Sequence, residues 1–491
     1  MKKQLLTLAM LLISMATFAQ DRPKLVVGIA VDQMRWDYLY RYYEEYGNGG
    51  FRRLMNEGFN CENCQINYIP SVTAIGHSSV FTGSVPSIHG IAGNSFLIDG
   101  KSAYCTRDES EQTVGSDTKA GHMSPRNLLV TTIGDELKTA TNWQSKVIGV
   151  SFKDRAAILP AGHSADAAYW FDKNALCFIS STYYMKQLPE WAVKYNKTIK
   201  KLPIDDIQYS PYGNEITVGM AKAAVENEKL GQRGQTDMLT LSFSCTDIVG
   251  HKYGTHHEKT HDQYVNLDRQ LADFFSFLDQ KVGKGQYLVF LTADHGGSDG
   301  ILQNQEHKIP ADGFFVDKEE ASLNEALSKV FNTEEKLARN IMNNQVVLNR
   351  EAIARVGIDE GKVRQAIINH FNRHPQVQYC VDMENVLNSS VPSLIREKII
   401  NGYNRERSGD IQIVMKPAHY GVWGKIDGGT THSAWNPYDC HIPFVLMGWG
   451  VEHGSSQVEC HITDIAPTIC ALIHVQAPNG CIGNPVIQVT K

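Results

Sequence analysis

The sequence has few long apolar runs. Of its 491 residues, only residues 5–18 form a sustained apolar run, and this length is too short to span a bilayer comfortably. Lys2 and Lys3 precede the run, and small residues follow it at the positions that a signal peptidase reads. We therefore predict that residues 1–19 are a signal peptide cleaved before Gln20, with a single membrane anchor as the alternative.

No second apolar run of about 18 residues occurs in the sequence, which argues against a membrane span in the mature chain. We expect the mature protein to be soluble, and to be periplasmic or secreted. We also expect it to be a monomer.

The sequence lacks an excess of positive charge. Lys and Arg number 47 against 53 Asp and Glu, which gives a net charge of −6. This balance argues against a general binder of nucleic-acid duplexes, but it leaves room for a local cationic pocket.

Internal repeats and low-complexity segments are absent too. The length fits two or three domains, or one large α/β domain with insertions.

The cysteine pattern lacks the second C-x-x-C pair that a zinc ribbon needs. Ten cysteines are present, and an even count in an exported protein permits disulfides. Cys61 and Cys64 form the single C-x-x-C pair, which could be a local bridge or a pair of metal ligands. The sequence does not determine the connectivity.

Short apolar segments alternate with amphipathic ones along most of the chain. Strands are predicted at residues 24–31, 146–151, 238–244, 286–292 and 443–447. Helices are predicted between them, for example at residues 216–228 and 264–281. Continuous apolar strands of this kind are typical of a sheet buried on both faces. The alternation predicts an α/β fold with a doubly wound, mostly parallel sheet.

Two stretches depart from this alternation. Residues 168–205 are rich in Trp, Tyr and Lys, and we interpret them as a lid. Residues 301–416 mix helical and strand-like segments, and we interpret them as an inserted α+β cap. Within the cap, helices are predicted at 322–330, 333–342 and 360–372, and strands at 345–348, 378–381 and 411–416. Residues 20–300 and 417–491 would then form the catalytic core.

A polar stretch at residues 69–94 reads I-P-S-V-T-A-I-G-H-S-S-V-F-T-G-S-V-P-S-I-H-G-I-A-G-N. We predict that Thr73 lies at a strand-to-helix turn and acts as a nucleophile, that residues 75–83 form a helix, and that Asn94 returns to the same pocket. The simpler alternative is that Thr73 is a helix cap or a turn residue.

Candidate metal ligands follow several of the predicted strands or lie in loops. They are three aspartates and three histidines: Asp32, Asp247, His251, Asp294, His295 and His432. Carboxylate and imidazole ligands suit zinc, and two zinc ions about 4 Å apart can assist an in-line phosphoryl displacement. Each residue also has a simpler interpretation. An Asp after a strand is commonly a turn residue, and Asp247 and His251 could be a surface helix pair.

The order of these residues resembles the alkaline phosphatase superfamily, and more narrowly the bacterial phosphate-irrepressible alkaline phosphatases, which are close to the nucleotide pyrophosphatase/phosphodiesterases. The resemblance covers the core and not the cap. It implies that two Zn²⁺ ions are bound. The implied ligands of one zinc are Asp247, His251 and His432. Those of the other are Asp32, Asp294, His295 and the oxygen of Thr73.

The same resemblance implies roles for the remaining residues. Thr73 would be the nucleophile and would form a phosphothreonine intermediate, and Asn94 would donate to a phosphoryl oxygen. Lys153 and Arg155, in S-F-K-D-R, match the paired cations that separate the monoesterases of this superfamily from the diesterases. The alternative is that these two side chains lie in a solvated loop.

A charge count is consistent with this assignment. The charges of two zinc ions are balanced by three carboxylates and a Thr73 alkoxide, so a phosphomonoester dianion needs further positive charge, which Lys153 and Arg155 supply. We therefore predict a secreted phosphomonoesterase that acts on small-molecule phosphate monoesters.

Three alternatives remain. The first is a phosphodiesterase or nucleotide pyrophosphatase on the same scaffold. The second is a sulfatase, which the sequence disfavours because Thr73 is not within a C/S-x-P-x-R motif. The third is an inactive exported binding protein that kept the fold.

Overall fold

The computed structural model describes residues 22–490, so the predicted signal peptide at residues 1–19 lies outside the described residues. Within the described range, the largest sheet has ten strands. Their bounds in chain order are Leu25–Val31, Phe59–Cys61, Thr113–Val114, Val147–Ser151, Ala167–Asp172, Cys177–Ser181, Asp237–Phe243, Tyr287–Thr292, Phe444–Gly448 and Gly454–Ser456.

The centre of this sheet is parallel. Neighbouring parallel strands stand in the order Tyr287–Thr292, Leu25–Val31, Asp237–Phe243, Val147–Ser151 and Ala167–Asp172. Every residue of the first strand in the chain, with the sequence LVVGIAV, is buried, as expected for a parallel strand covered on both faces. The predicted doubly wound α/β fold is confirmed. The last predicted strand, found at 444–448, is antiparallel to its neighbour.

Helices cover both faces of the sheet. The helices of the core are Tyr38–Arg41, Phe51–Glu57, Thr73–Thr82, Pro86–His89, Ile133–Ala140, Asp154–Ala161, Glu190–Asn196, Ile204–Gln208, Tyr212–Asn227, Cys245–Tyr253, Glu258–Leu278, Pro437–Cys440 and Ile465–Leu472. Short strands outside the main sheet lie at Cys64–Gln65, Ser95–Ile98, Lys101–Tyr104, His441–Ile442 and Cys460–His461. Among the residues described, no helix is both long and apolar enough to cross a membrane.

The parallel strands place their following residues along one edge of the sheet. Asp32 follows Leu25–Val31, Asp294 lies two residues after Tyr287–Thr292, and Asp247 lies in the first turn of the helix after Asp237–Phe243. Because the carboxyl ends of parallel strands lie at the same edge, the crevice there is where open α/β sheets bind ligands.

The Thr73–Thr82 helix packs tightly beneath this edge, and each of its residues is buried. Its close approach depends on Gly76, because a Cβ atom there would lie 2.2 Å from the carbonyl oxygen of Asp294. The helix ends at Gly83, which has the left-handed conformation (φ 65°) that glycine adopts without strain. Thr73 begins this helix as predicted, although irregular chain rather than a strand directly precedes it.

The stretch predicted as a lid, residues 168–205, differs from that prediction in its first part. Ala167–Asp172 and Cys177–Ser181 are antiparallel strands of the main sheet, and Trp170 is buried with its indole nitrogen donating to the carbonyl oxygen of Ala120. The aromatic residues of these two strands therefore pack in the core, whereas those of residues 183–195 are half-buried.

The stretch predicted as a cap has its own hydrophobic core. Its helices are Ile301–Glu306, Val316–Phe331, Arg350–Val356, Glu360–Phe371 and Ser393–Gly402, and its main strands are Ala338–Met342, Gln345–Leu348, Val377–Asp382 and Ile411–Met415. A further strand, Asp312–Phe315, pairs with His419–Val422, which lies just beyond the predicted boundary at residue 416.

The predicted helix at residues 333–342 is wrong throughout, because residues 333–337 are irregular and no residue of the range is helical. Residues Ala338–Met342 form a strand that pairs antiparallel with Gln345–Leu348. The two-residue connection consists of Asn343 and Asn344, both with positive φ (56° and 57°). This conformation matches the twist of a tight hairpin, and asparagine tolerates it better than most residues.

The cysteine pair at Cys61 and Cys64 lies against a third thiol. Cys64 is the register partner of Cys460 on the neighbouring strand, and the proximity of Cys460 contributes to the raised pKa values of the Cys61 and Cys64 thiols. The structure therefore favours contacts with Cys460 over a purely local pairing. These thiols do not belong to the groups of described side chains that are close enough to share a metal ion.

The contact at Gly76 generates the first prediction. Gly76→Ala should lower the free energy of unfolding by about 1–3 kcal/mol, because the added methyl group overlaps the carbonyl of Asp294 and the helix must shift. Thermal and urea unfolding monitored by circular dichroism measures the loss. Gly47→Ala is the matched control, since its Cβ would meet Asp268 Oδ2 at 3.5 Å, an ordinary contact. Equal stability of the two variants would contradict the prediction.

Candidate active site

The six predicted ligands converge at the carboxyl edge of the sheet. Their ligand atoms form two adjoining groups, each with all atoms within 4.8 Å of one another: Asp247 with His295 and His432, and Asp32 with Asp294 and His295. His251 joins the first group, with its Nε2 atom 3.1 Å from Asp247 Oδ1. Residues from distant parts of the chain therefore line one small volume.

The histidines of this cluster share one hydrogen-bonding arrangement. The Nδ1 atom of each lies against a backbone carbonyl oxygen: Thr430 for His251, Gly296 for His295 and Ser71 for His432. A carbonyl only accepts, so each Nδ1 carries the proton and donates it. Each ring then turns Nε2 towards the carboxylates, which is how histidines that bind metals are held.

Two of these rings stack directly on each other. The ring centroids of His295 and His432 are 3.5 Å apart at an interplanar angle of 15°. Burial lowers the pKa of His295, and burial together with the neighbouring histidines lowers the pKa of His432 well below its usual value. Neutral imidazoles at this spacing avoid the repulsion that two cations would suffer, and neutral imidazole is the form that binds metal.

The carboxylates are too close together for all to be charged without compensation. Burial, and then the charges of Asp247 and Asp294, raise the pKa of Asp32 well above its usual range. Burial also opposes ionisation of Asp247, but His251 and Lys153 outweigh it and lower its pKa. Lys153 Nζ contacts both Asp32 Oδ2, at 2.7 Å, and Asp247 Oδ2.

The donor set fits zinc ions. Asp32 Oδ1 and Asp294 Oδ2 are buried without a hydrogen-bond partner among the described residues, and a buried carboxylate oxygen is costly unless a cation or donor meets it. Oxygen and imidazole nitrogen are ligands that zinc accepts. The residues that would hold the ions are therefore those of the two groups, together with His251.

Thr73 stands beside this cluster. Its Oγ1 atom lies 3.3 Å from His295 Nε2, and it is the first residue of its helix, where unpaired backbone N–H groups and the helix dipole favour negative charge. Asn94 lies at the same helix end, because its Oδ1 atom accepts a hydrogen bond of 2.9 Å from the backbone N–H of Ala74. The structure thus brings both predicted residues together.

Lys153 and Arg155 follow the Val147–Ser151 strand at the start of the Asp154–Ala161 helix. Arg155 Nη1 donates to the hydroxyl of Tyr104 at 3.0 Å. Its Nε atom is buried and has no hydrogen-bond partner among the described residues, so the guanidinium retains a donor for an anion. Tyr104, which holds this arginine, was not anticipated from the sequence.

Two further residues position the cluster, and neither was given a role from the sequence. Gln33 donates from Nε2 to Asp247 Oδ1 at 2.8 Å and from its backbone N–H to Asp294 Oδ1 at 3.2 Å. His77 donates from Nδ1 to the carbonyl of Thr73 at 2.9 Å and lies 2.8 Å from Ser242 Oγ through Nε2. Both ring nitrogens of His77 are thus engaged, so it supports the backbone of Thr73 and has no nitrogen free to bind a metal.

The cap contributes its hairpin tip to the site. Asn343 Nδ2 donates to the carbonyl of Ser95, next to Asn94, at 2.8 Å, and Asn344 Nδ2 donates to Ser433 Oγ, next to His432, at 3.2 Å. The sequence signal that could have located this tip is the Asn-Asn pair between two β-prone segments.

Comparison with known families agrees with this geometry. The family model described as type I phosphodiesterase / nucleotide pyrophosphatase matches residues 26–435. The chain belongs to this family. The resemblance inferred from Asp32, Thr73 and the later ligands is thereby confirmed at the level of the family, whereas the role of each residue stays a prediction.

Three curated relatives are similar over nearly their whole length. Alkaline phosphatase PafA of Elizabethkingia meningoseptica is 44% identical, with 96% of this chain and 95% of the relative covered. Alkaline phosphatase PhoV of Synechococcus elongatus is 45% identical, with 96% and 93% covered. A protein of Myroides odoratus named calcium-transporting ATPase is 44% identical, with 96% and 95% covered.

Solved structures show the same relationship. The crystal structure of wild-type alkaline phosphatase PafA matches with a TM-score of 0.92 at 44% identity, covering 96% of this chain and all of that one. A PafA variant with a threonine, an asparagine, a lysine and an arginine replaced matches with a TM-score of 0.91 at 43% identity, covering 96% and 99%. Murine ectonucleotide pyrophosphatase/phosphodiesterase 5, at 15% identity and TM-score 0.59, shares the fold; 96% of this chain and 98% of that one are covered.

The ligand geometry predicts a measurable metal content. We expect protein purified with zinc to hold two zinc ions per chain, and His432→Ala to hold fewer, because that side chain lies between Asp247 and His295. Elemental analysis by mass spectrometry measures the content. His261→Ala is the control, since His261 Nε2 contacts Glu45 on the surface. A wild-type chain without zinc, or full occupancy in His432→Ala, would count against the assignment.

Proposed function

We propose that the protein is an exported alkaline phosphatase that hydrolyses small-molecule phosphate monoesters. The observation that carries the proposal is the position of Thr73 Oγ1 beside a cluster of three carboxylates and three imidazoles. Relatives at 44–45% identity over most of the chain are named alkaline phosphatases. The N-terminal pattern at residues 1–19 supports export to the periplasm or the medium.

The proposed reaction begins with attack by Thr73 Oγ on phosphorus. An oxygen–phosphorus bond forms to Thr73 as its hydroxyl proton is released to solvent, the ester bond breaks in line with it, and the leaving oxygen takes up a proton from solvent. Water then cleaves the phosphothreonine and releases inorganic phosphate. The helix that begins at Thr73 and the amide of Asn94 would stabilise the negative phosphoryl oxygens, which is the main task in a loose phosphoryl-transfer transition state.

Bound zinc would supply Lewis-acid charge, which lowers the pKa of a nearby hydroxyl or water and offsets charge on the leaving oxygen. The chain itself supplies orientation. His77 fixes the backbone of Thr73, and Gln33 fixes Asp247 and Asp294 from one side. Both act through groups that would touch substrate or metal, so we regard them as positioning residues.

Lys153 and Arg155 support a monoester over a diester. A monoester brings a second negative charge that these two cations can meet, and Arg155 Nε retains an unpaired donor for it. The PafA variant noted above changes a threonine, an asparagine, a lysine and an arginine, with one residue between the last two. This chain has the same residue types in the same order at Thr73, Asn94, Lys153 and Arg155, and one residue likewise separates the last two.

A second candidate function is a phosphodiesterase or nucleotide pyrophosphatase. It is favoured by the description of the matching family model. The two candidates share the nucleophile and the proposed metal ligands, so they differ in what surrounds the phosphoryl group and not in the reaction itself. Only the relative rates on the two ester classes separate them.

The nucleophile generates the next prediction. Thr73→Ala should lower kcat/KM for 4-nitrophenyl phosphate at least about a thousandfold, because the attacking oxygen is lost, while Thr73→Ser should retain measurable activity. Thr82→Ala is the control at the other end of the same helix, where the hydroxyl donates to the carbonyl of Ser78 and accepts from the backbone N–H of Ser84. Near-normal activity of Thr73→Ala with a normal zinc content would reject Thr73 as the nucleophile.

The cation pair decides between the two candidate functions. Wild-type protein should prefer 4-nitrophenyl phosphate to bis(4-nitrophenyl) phosphate. The double change Lys153→Ala and Arg155→Ala should lower the monoester rate about a hundredfold or more and the diester rate much less. Lys222→Ala, which removes a surface ion pair with Asp273, should change neither rate. A wild-type preference for the diester would instead favour the phosphodiesterase.

A further inference from the structure

Arg155 differs from Lys153 in what meets its charge. Lys153 contacts two carboxylates, whereas Arg155 forms no ion pair among the described residues. Its Nη1 atom donates to the hydroxyl of Tyr104 at 3.0 Å, and its Nε atom is buried without a partner. Guanidinium groups that are shielded from water are normally paired with a carboxylate. The positive charge of Arg155 is therefore left available for an anion from outside the chain.

A carboxylate that could neutralise Arg155 is its neighbour in the chain, Asp154. Both oxygens of Asp154 are held by hydroxyl groups, because Tyr104 donates to Oδ1 at 2.9 Å and Thr106 Oγ1 donates to Oδ2 at 2.7 Å. A carboxylate only accepts and a guanidinium only donates, so the proton of Tyr104 points to Asp154 and its lone pair to Arg155. Burial raises the pKa of Tyr104 well above its usual value, so the phenol keeps the proton that this bridge requires.

Tyr104 is placed by the β-hairpin that directly follows Asn94. The two strands of the hairpin pair antiparallel with Tyr104 opposite Ser95, and the backbone N–H of Cys105 donates to the carbonyl of Asn94 at 3.0 Å. Asn94 and Tyr104 therefore lie side by side at the base of one hairpin. The amide proposed to contact a phosphoryl oxygen and the phenol that contacts Arg155 are thus held by the same element.

The turn of this hairpin fixes which residue takes that place. Asp99 and Gly100 connect the two strands, and both have positive φ (50° and 71°). This is the conformation of a two-residue hairpin turn, which sets the register of the strands. Because side chains alternate between the two faces of a strand, a shift by one residue would turn Tyr104 to the opposite face, away from Arg155.

We propose that Tyr104 is a positioning residue that sets the preference for monoesters, because it holds Arg155 for the phosphoryl group and keeps Asp154 from pairing with it. The inference rests on the proposed function, since it concerns the same site and the same substrates. Without the phenol hydroxyl, Asp154 Oδ1 and Arg155 Nη1 each lose a partner and can pair with each other. That ion pair would remove the positive charge that a monoester dianion needs.

The test compares a monoester and a diester in the full-length zinc-loaded enzyme. Steady-state kcat/KM is measured for 4-nitrophenyl phosphate and for bis(4-nitrophenyl) phosphate. Tyr104→Phe, which removes the hydroxyl and keeps the ring, should lower the monoester value about tenfold, as expected for loss of one hydrogen bond to a charged group, and the diester value less than about twofold. Thr106→Val frees the other oxygen of Asp154 and should lower the monoester value about threefold.

A double-mutant cycle separates positioning from a general structural effect. In an Arg155→Ala background, Tyr104→Phe should lower the monoester value less than about twofold, because the group that it positions is already gone. Inhibition by inorganic phosphate, a dianion without a leaving group, should weaken when Tyr104→Phe is made in the wild type and should not change further in the Arg155→Ala background.

Tyr195→Phe is the matched control, since the hydroxyl of this half-buried tyrosine donates to the carbonyl of Ile216 at 2.7 Å. It should leave both esters unchanged. Equal losses on the two esters in Tyr104→Phe, no loss on the monoester, or an undiminished loss in the Arg155→Ala background would overturn the inference. A wild type that prefers the diester would instead overturn the proposed function.

Discussion

Burial of three carboxylates at one edge of a sheet is the constraint on which the structure depends. Asp32, Asp247 and Asp294 are almost completely shielded from water, and like charges at this distance in a low-dielectric site repel strongly. Cations, hydrogen bonds or protonation must offset this repulsion. Lys153 contacts Asp32, and Gln33 donates to Asp247 and Asp294. The oxygens of Asp32 and Asp294 that have no hydrogen-bond partner among the described residues would be met by bound metal ions.

Much of this edge could be predicted from the sequence because the signal is local. An apolar run that ends in Asp, as at Asp32 and near Asp294, marks a buried parallel strand and the residue at its carboxyl end. The fold class followed from several such runs, the family followed from the resemblance carried by the order of the candidate site residues, and both were confirmed. His251 and His432 do not directly follow such an apolar run, and their assignment to a zinc ion depended on the resemblance to the family.

Other features depend on pairing partners that a single sequence does not display. Residues 338–342 follow a helix-prone segment, and their strand conformation comes from pairing with Gln345–Leu348. Trp170 suggested an exposed lid, yet it fills the core because a neighbouring strand covers it. Gln33 is a single polar residue with positive φ (63°), and nothing in its neighbours indicates that it holds two carboxylates.

The hairpin tip that joins the loops of Asn94 and His432 also has a consequence for turnover. An inserted domain over an active site often acts as a lid that opens and closes during turnover. Here the tip is hydrogen-bonded to both loops at once, so moving it away would loosen the loops that carry Asn94 and His432. The insertion therefore holds these two loops in position, which differs from the role of a mobile lid.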